Sequence, residues 1–182
     1  MESKIMRKIK CKNCKELFTP FRNNALQKFC LNNDECLKVA KTLALESKWK
    51  KEKAKIKNDL LTKSDYLKIA QQVFNAFIRK RDEHLACISC GTFTGKINAG
   101  HYRSVGSCPE LRFNEFNCHK QCEKCNTYLH SNAINYRIGL IKKIGVEKVE
   151  WLESKHEPLK LSIEEIKELI KIYKLKNKDY EK

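Results

Sequence analysis

Leu67, Ala70, Val73, Phe74, Phe77 and Ile78 fall three and four residues apart, the spacing that lays one apolar stripe along an α-helix. Ser64 offers a side-chain oxygen for an N-cap and Asp65 suits the first turn, so a helix is expected over about 64–82. A second stripe, Ile163, Ile166, Leu169, Ile170 and Tyr173, follows Ser162-Ile163-Glu164-Glu165, a capping box that begins a last helix. Both stripes are expected to face a core, and the polar tail from Lys174 is expected to fray. Residues 37–60 lack Gly and Pro and are rich in Ala, Leu, Lys and Glu, a composition that favours helix. Two shorter helices are expected over about 133–144, closed by Gly145, and 146–154.

The helical pattern stops between Cys87 and Phe116. Four of the chain's six glycines lie there, beside strand-compatible Thr92, Phe93, Ile97, Tyr102 and Val105. An irregular β-hairpin is expected, with His101 on or beside a strand. A helix is expected from Cys122 to about Ser131, which would put Asn126 and His130, four residues apart, on one face. The fold class is α+β and mainly helical: a small finger (1–40), a helical linker or scaffold (41–84), a core (85–145) and C-terminal helices (146–182).

The cysteines say what holds the irregular parts together. Ten are present. Cys87-x2-Cys90 and Cys122-x2-Cys125 form two knuckles that can aim four thiolates at one structural Zn²⁺. Cys11-x2-Cys14 and Cys30-x5-Cys36 form a second set, with Phe18, Pro20, Phe21 and Phe29 as a cap over the ion. Such a finger is too small to fold without metal. The finger can recognise DNA or a junction, or can serve only as a folding nucleus. Cys108 and Cys118 are left over. No secretion signal is visible, which argues for metal rather than disulfides.

Lys and Arg number 38 against 22 Asp and Glu, a formal net charge of +16. That excess favours a polyanionic partner, DNA first. The basic segment 1–10 is expected to be extended. The basic helix over 37–60, with Trp49 its only aromatic, can lie along phosphates or simply link two modules. Arg79, Lys80 and Arg81 can reach a phosphate or merely complement a helix C-terminus. No apolar run approaches the roughly 20 residues of a membrane span, and no signal-peptide core is present. A cytoplasmic, nucleoid-associated location is expected.

Between the central knuckles lie 31 residues (91–121), more than a zinc ribbon's roughly 15–20. They carry Gly100-His101-Tyr102 and Asn117, five residues before Cys122, and the second knuckle runs into Asn126-x3-His130. This combination resembles the HNH nucleases with a ββα-metal core. The wording of Ala99-Gly100-His101-Tyr102, Leu111-Arg112-Phe113-Asn114-Glu115 and Asn117-Cys118-His119-Lys120-Gln121-Cys122 is similar to the NinG (Rap) recombination endonucleases of lambdoid phages, over most of the chain. The resemblance implies an HNH-like core, catalytic His101, Asn117 bracing the hairpin, and Asn126 and His130 as ligands of a catalytic Mg²⁺ or Mn²⁺. It implies branched DNA substrates such as Holliday junctions or D-loops, in a bacterial host cell, with phage or host recombination proteins as further partners; a symmetric cut would need two active sites, hence a homodimer.

Phosphodiester hydrolysis needs an activated water, and a His near its ordinary pKa serves as general base, worth roughly 10²–10⁴-fold. Two positions depart from the family pattern. Gly100 stands where many HNH enzymes place an Asp or His ligand, and Asn126 replaces the commoner His. Asn114, Glu115 and His119 are nearby candidates to help hold the ion; His119 could instead contact DNA or only the hairpin. His84 and His156 are expected at the surface. The other reading is a non-catalytic zinc module that binds DNA or a recombination protein.

Overall fold

The structure, a computed structural model, describes residues 8–21, 24 and 26–180. Of the basic segment 1–10, residues 1–7 lie outside the described residues. The fold is mixed α and β and mainly helical, and it divides into two units, residues 1–60 and 61–182. No described helix is long and apolar enough to cross a membrane.

In the first unit, β1 (Ile9–Lys10) pairs antiparallel with β2 (Leu17–Phe18), Ile9 opposite Phe18. Asn33 caps α1 (Asp34–Asp59) by accepting from the amides of Glu35 and Cys36, which satisfies two otherwise orphaned donors. Cys36 sits on that first turn, so the finger and the basic helix are continuous. Cys11, Phe18, Cys30 and Cys36 are buried against Ile9, Cys14 and Phe29. Phe21, expected in this cap, is 64% exposed. Beyond Cys36, α1 buries nothing: Leu43, Leu45, Trp49 and Ile56 are all exposed.

The second unit has three layers. Its middle is a hairpin of β3 (Ile97–His101) and β4 (Cys118–Cys122), antiparallel, with His101 opposite Cys118 and Ile97 opposite Cys122. Against one face packs α2 (Lys63–Arg81), whose Phe74, Phe77 and Ile78 meet Ala99, Cys118 and Phe113. The N-cap is Thr62 rather than Ser64, because Asp65 falls at the third helical position and closes a reciprocal capping box with it. Against the other face lie α3 (Ala133–Ile144) and α4 (Val146–Glu153), where Tyr136, Leu140, Val149 and Leu152 are fully buried with Tyr102 and Ile88 packed on them. A Cβ at Gly139 would stand 2.0 Å from the Ile88 carbonyl oxygen, so α3 meets the first knuckle through a bare backbone.

α5 (Ile163–Asp179) starts at the expected Ser162 box and covers α2 with Ile166, Ile170 and Tyr173. The tail is helical to Asp179 instead of fraying from Lys174. Asn177 Nδ2 donates to Val73 O at 3.0 Å, Lys176 pairs with Glu115 at 2.5 Å, and Tyr180 packs on Phe77.

The expected helix over 122–131 is not formed. Cys122 ends β4, held there by the Glu123 amide bonding Lys96 O at 2.8 Å. One wide turn, Lys124–Tyr128, and one tight turn, His130–Asn132, follow. His130, Ser131 and Asn132 all have positive φ, at 46°, 67° and 44°. The second knuckle must bring Cys122 and Cys125 to one point, and a regular helix begins only at Ala133. Asn126 and His130 therefore do not share a helical face.

Candidate functional site

Both expected four-cysteine sets converge. In each, the four sulfurs lie within 4.8 Å of one another: Cys87, Cys90, Cys122 and Cys125, and Cys11, Cys14, Cys30 and Cys36. Zn–S bonds of about 2.3 Å put tetrahedral sulfurs about 3.8 Å apart. Cys90 and Cys122 are 3.7 Å apart, Cys11 and Cys36 3.7 Å, and Cys14 and Cys30 3.6 Å. Each set can therefore hold one zinc. Backbone amides supply the usual support: the Cys122 amide donates to Cys87 Sγ and that of Cys30 to Cys11 Sγ, each at 3.3 Å. Burial alone would raise the Cys87 thiol, but the amides of Cys122, Cys90 and Ser89 outweigh it and hold it at about 7, which favours the ligating thiolate.

His101 ends β3. Its Nε2 lies 3.0 Å from the Arg112 carbonyl, which fixes the hydrogen there and leaves Nδ1 as the basic nitrogen. The ring sits 6.0 Å from that of Phe74 on α2, and Nδ1 is 3.6 Å from Cys118 Sγ. Burial holds the imidazole below its ordinary pKa, and the nearby Arg112 charge adds to this against the carbonyl bond that favours protonation. Arg112 is itself held by α2, its Nε donating to Gln71 Oε1 at 2.8 Å.

Asn117 is fully buried and makes three bonds across the loop that follows His101. Its Nδ2 donates to Arg103 O (3.0 Å) and Leu111 O (3.1 Å), and its Oδ1 accepts from the Arg103 amide at 2.8 Å. The carbonyl that grips His101 belongs to Arg112, next to Leu111. Asn117 thus fixes both ends of the loop that aims the imidazole.

Asn126 lies on the other face of the hairpin. A Cβ at Gly100 would point at Gln121 Oε1, 2.2 Å away, and at Asn126 Oδ1, 3.1 Å away. His101 turns toward α2, so alternation along β3 separates the two. His130 is exposed and has no hydrogen bond or ion pair among the described residues. Asn114 and Glu115 are engaged with other partners: Asn114 Oδ1 accepts from the Phe116 and Asn117 amides, and Glu115 is bound by Lys176 and Tyr173.

His119 is buried in a charged cluster that the sequence did not reveal. Asp82, 2% exposed at the end of α2, accepts from Arg81 (2.8 Å), Lys143 (3.1 Å) and the Lys120 amide (3.1 Å). His119 Nε2 donates to Phe116 O at 3.0 Å, and its Nδ1 accepts from Arg81 and Lys143 at 3.0 and 2.9 Å. Asp82 Oδ2, 3.5 Å from that nitrogen, is too far for a good bond. Burial, with Lys143 and Arg81 beside it, keeps His119 neutral against the pull of Asp82. Arg81 is therefore committed to the interior. His84 is exposed, whereas His156 packs its ring on Trp151 at 4.5 Å.

A family model described as NinG, bacteriophage lambda NinG protein, matches residues 3–182. Protein ninG of Escherichia phage 933W is 40% identical over 192 residues, covering 93% of this chain and 92% of its own. Protein ninG of Escherichia phage lambda is 49% identical over 121 residues, 66% of this chain and 59% of its own. That of Salmonella phage P22 is 46% identical over 121 residues, 66% of this chain and 60% of its own. No solved structure matches.

Proposed function

The chain belongs to the NinG family, and from that premise we propose that it is a metal-dependent, structure-selective endonuclease with an HNH-like core, acting on branched DNA such as Holliday junctions or D-loops. The observation that carries this reading is the loop braced by Asn117. A buried asparagine with three bonds to one loop, whose next carbonyl fixes Nε2 of a histidine, is an arrangement for presenting Nδ1 as a base.

In the reaction, His101 Nδ1 takes the proton of the attacking water while Nε2 stays on the Arg112 carbonyl. A lowered pKa keeps that nitrogen free near neutral pH. The guanidinium of Arg112, whose Nε donates to Gln71, would offer its remaining N–H groups to the phosphate. Asn126 and His130 would hold Mg²⁺ or Mn²⁺, which supplies charge stabilisation for the phosphate and the leaving oxygen. The donor set fits a hard ion, since Asn126 offers an amide oxygen at a point where a second unpartnered amide oxygen lies. The zinc sites hold the scaffold rather than the chemistry. Net charge +16 supplies the attraction to DNA. Branched-DNA selectivity and recombination partners follow from the family resemblance; a homodimer would supply the two active sites that a symmetric cut needs, and the basic charge favours a place on the host nucleoid.

The test is cleavage of labelled linear duplex, D-loop and four-way junction by the zinc-loaded protein, with and without Mg²⁺ or Mn²⁺. Metal-dependent nicking concentrated on branched DNA, lost in His101→Ala with zinc content unchanged, is the expected result. Retained cutting by His101→Ala removes His101 as the base. A second reading, a non-catalytic DNA-binding zinc module, is favoured by one observation: the His101 ring and the Asn126 side chain lie on opposite faces of β3. Salt-sensitive binding without scission in any divalent metal would establish it.

A further inference from the structure

Two amide oxygens converge on Gly100. A Cβ there would lie 2.2 Å from Gln121 Oε1 and 3.1 Å from Asn126 Oδ1. The orientation of the Gln121 amide is fixed by its nitrogen, which donates to Ser131 O at 2.7 Å and Ser89 Oγ at 2.8 Å. Its oxygen must therefore face Gly100. That oxygen is fully buried and accepts no hydrogen bond. Asn126 likewise makes no side-chain hydrogen bond among the described residues. A buried acceptor without a donor costs about 1–3 kcal/mol, and the Gln121 oxygen, with the oxygen of half-buried Asn126 beside the same point, calls for a positive group. The buried ammonium and guanidinium groups nearby are engaged elsewhere: Lys120 on Glu83 O, Lys143 and Arg81 on Asp82.

We propose that Gln121 Oε1 joins Asn126 Oδ1 in holding a divalent cation at Gly100, Gln121 standing in for the side chain that position 100 lacks. The proposal deepens the nuclease reading and rests on it for the role of the ion. Neutral oxygen donors suit Mg²⁺ or Mn²⁺ that keeps part of its water shell, whereas zinc prefers the thiolates. Gln121 also ties the site to its surroundings. Ser89 lies inside the first cysteine knuckle and Ser131 directly follows His130, so one side chain registers the zinc cluster, the oxygen pair and His130 against each other. Gly100 is then a requirement of the site, since any side chain there would displace the Gln121 oxygen.

The experiment is a Mn²⁺ titration of the zinc-loaded full chain, reading free Mn²⁺ by electron paramagnetic resonance. The wild type is expected to take up one Mn²⁺. Gln121→Met and Asn126→Ala should weaken binding at least about tenfold. Gln121→Glu, and Asn126→Asp should Gln121→Glu fail to fold, put an anionic oxygen in the site and should tighten it about tenfold. His101→Ala should bind as the wild type does, because its ring leaves the other face. Zinc content and circular dichroism report folding for each variant. Mn²⁺ affinity indifferent to Gln121, or no uptake by the wild type, overturns the proposal, as it would if the Asn126 amide were reversed and donated to Gln121. The same samples are assayed on four-way junctions. Cutting by a wild type whose Mn²⁺ affinity ignores Gln121 sinks this site and leaves the nuclease. Mn²⁺ binding that responds to Gln121 without any cutting leaves the site and sinks the nuclease.

Discussion

At Gly100 a methyl group would stand 2.2 Å from the Gln121 amide oxygen and 2.9 Å from its Cβ. Gly100→Ala must push apart a packed hairpin and should cost about 1–3 kcal/mol, read as a lower urea midpoint with unchanged zinc content. His119 is buried and His101 half-buried, and both are held below their ordinary pKa, in each case by loss of water around the ring first. The unfolded chain then binds more protons than the folded one below about pH 6.5. Stability should accordingly be full above that value and fall as pH drops through it toward the folded pKa values. Arg112→Gln removes a cation beside His101 and should raise the His101 pKa, measured by NMR titration of the ring. An unmoved pKa would mean that Arg112 is not electrostatically coupled to that ring. That Asn117 would brace the loop at His101 was legible only through the family resemblance, which carries an asparagine five residues before the second knuckle. Gln121 and Asp82 were not, because nothing in a local string marks a polar residue for burial by elements far along the chain.

At the scale of elements, β4 is the instructive case. All five residues of Cys118-His119-Lys120-Gln121-Cys122 are buried, yet the string is polar and reads as the approach to a helix. Its two faces are covered by α2 and α3, and its outer edge is closed by the Asp82 carboxylate on the Lys120 amide and by the Ile88 amide on the Lys120 carbonyl. That closure removes an exposed edge from a two-stranded sheet. Asp82 is its keystone, and Asp82→Ala would leave the Arg81 and Lys143 charges without their anion. A loss of about 3–5 kcal/mol is expected, measured by chemical denaturation. The Arg81 guanidinium and the Lys143 ammonium, both bonded to it, hold the Asp82 carboxyl far below its usual range despite burial. Its contribution is present above about pH 4 and lost as pH falls below it. By contrast, α2, α3, α4 and the start of α5 were readable from stripes and caps, since local signals and tertiary packing agree there.

For the whole molecule, the two units differ in what keeps them folded. Residues 61–182 hold four apolar clusters, while the described core of residues 1–60 is one small cluster that includes the cysteines themselves. Elemental analysis should find two zinc ions per chain. Chelation should abolish the NMR amide dispersion of the finger while leaving signals from the α2–α5 layer dispersed; loss of both at once would mean that the central cluster carries the larger unit too. The cysteine framework was readable because ligand spacing is local, but the segment after Cys125 was not, since its course depends on where the second knuckle must deliver its sulfurs.

The closeness of those sulfurs has one more consequence. Cys90 is exposed, and its sulfur lies 3.7 Å from that of Cys122; Cys14 and Cys30 are 3.6 Å apart. Once stripped of metal, each quartet is a ready substrate for air, able to close into paired disulfides through thiolate attack on an oxidised neighbour. Re-adding zinc alone would then restore nothing. Recovery would need a reductant first, so the history of a preparation, as well as its metal content, decides whether it is competent.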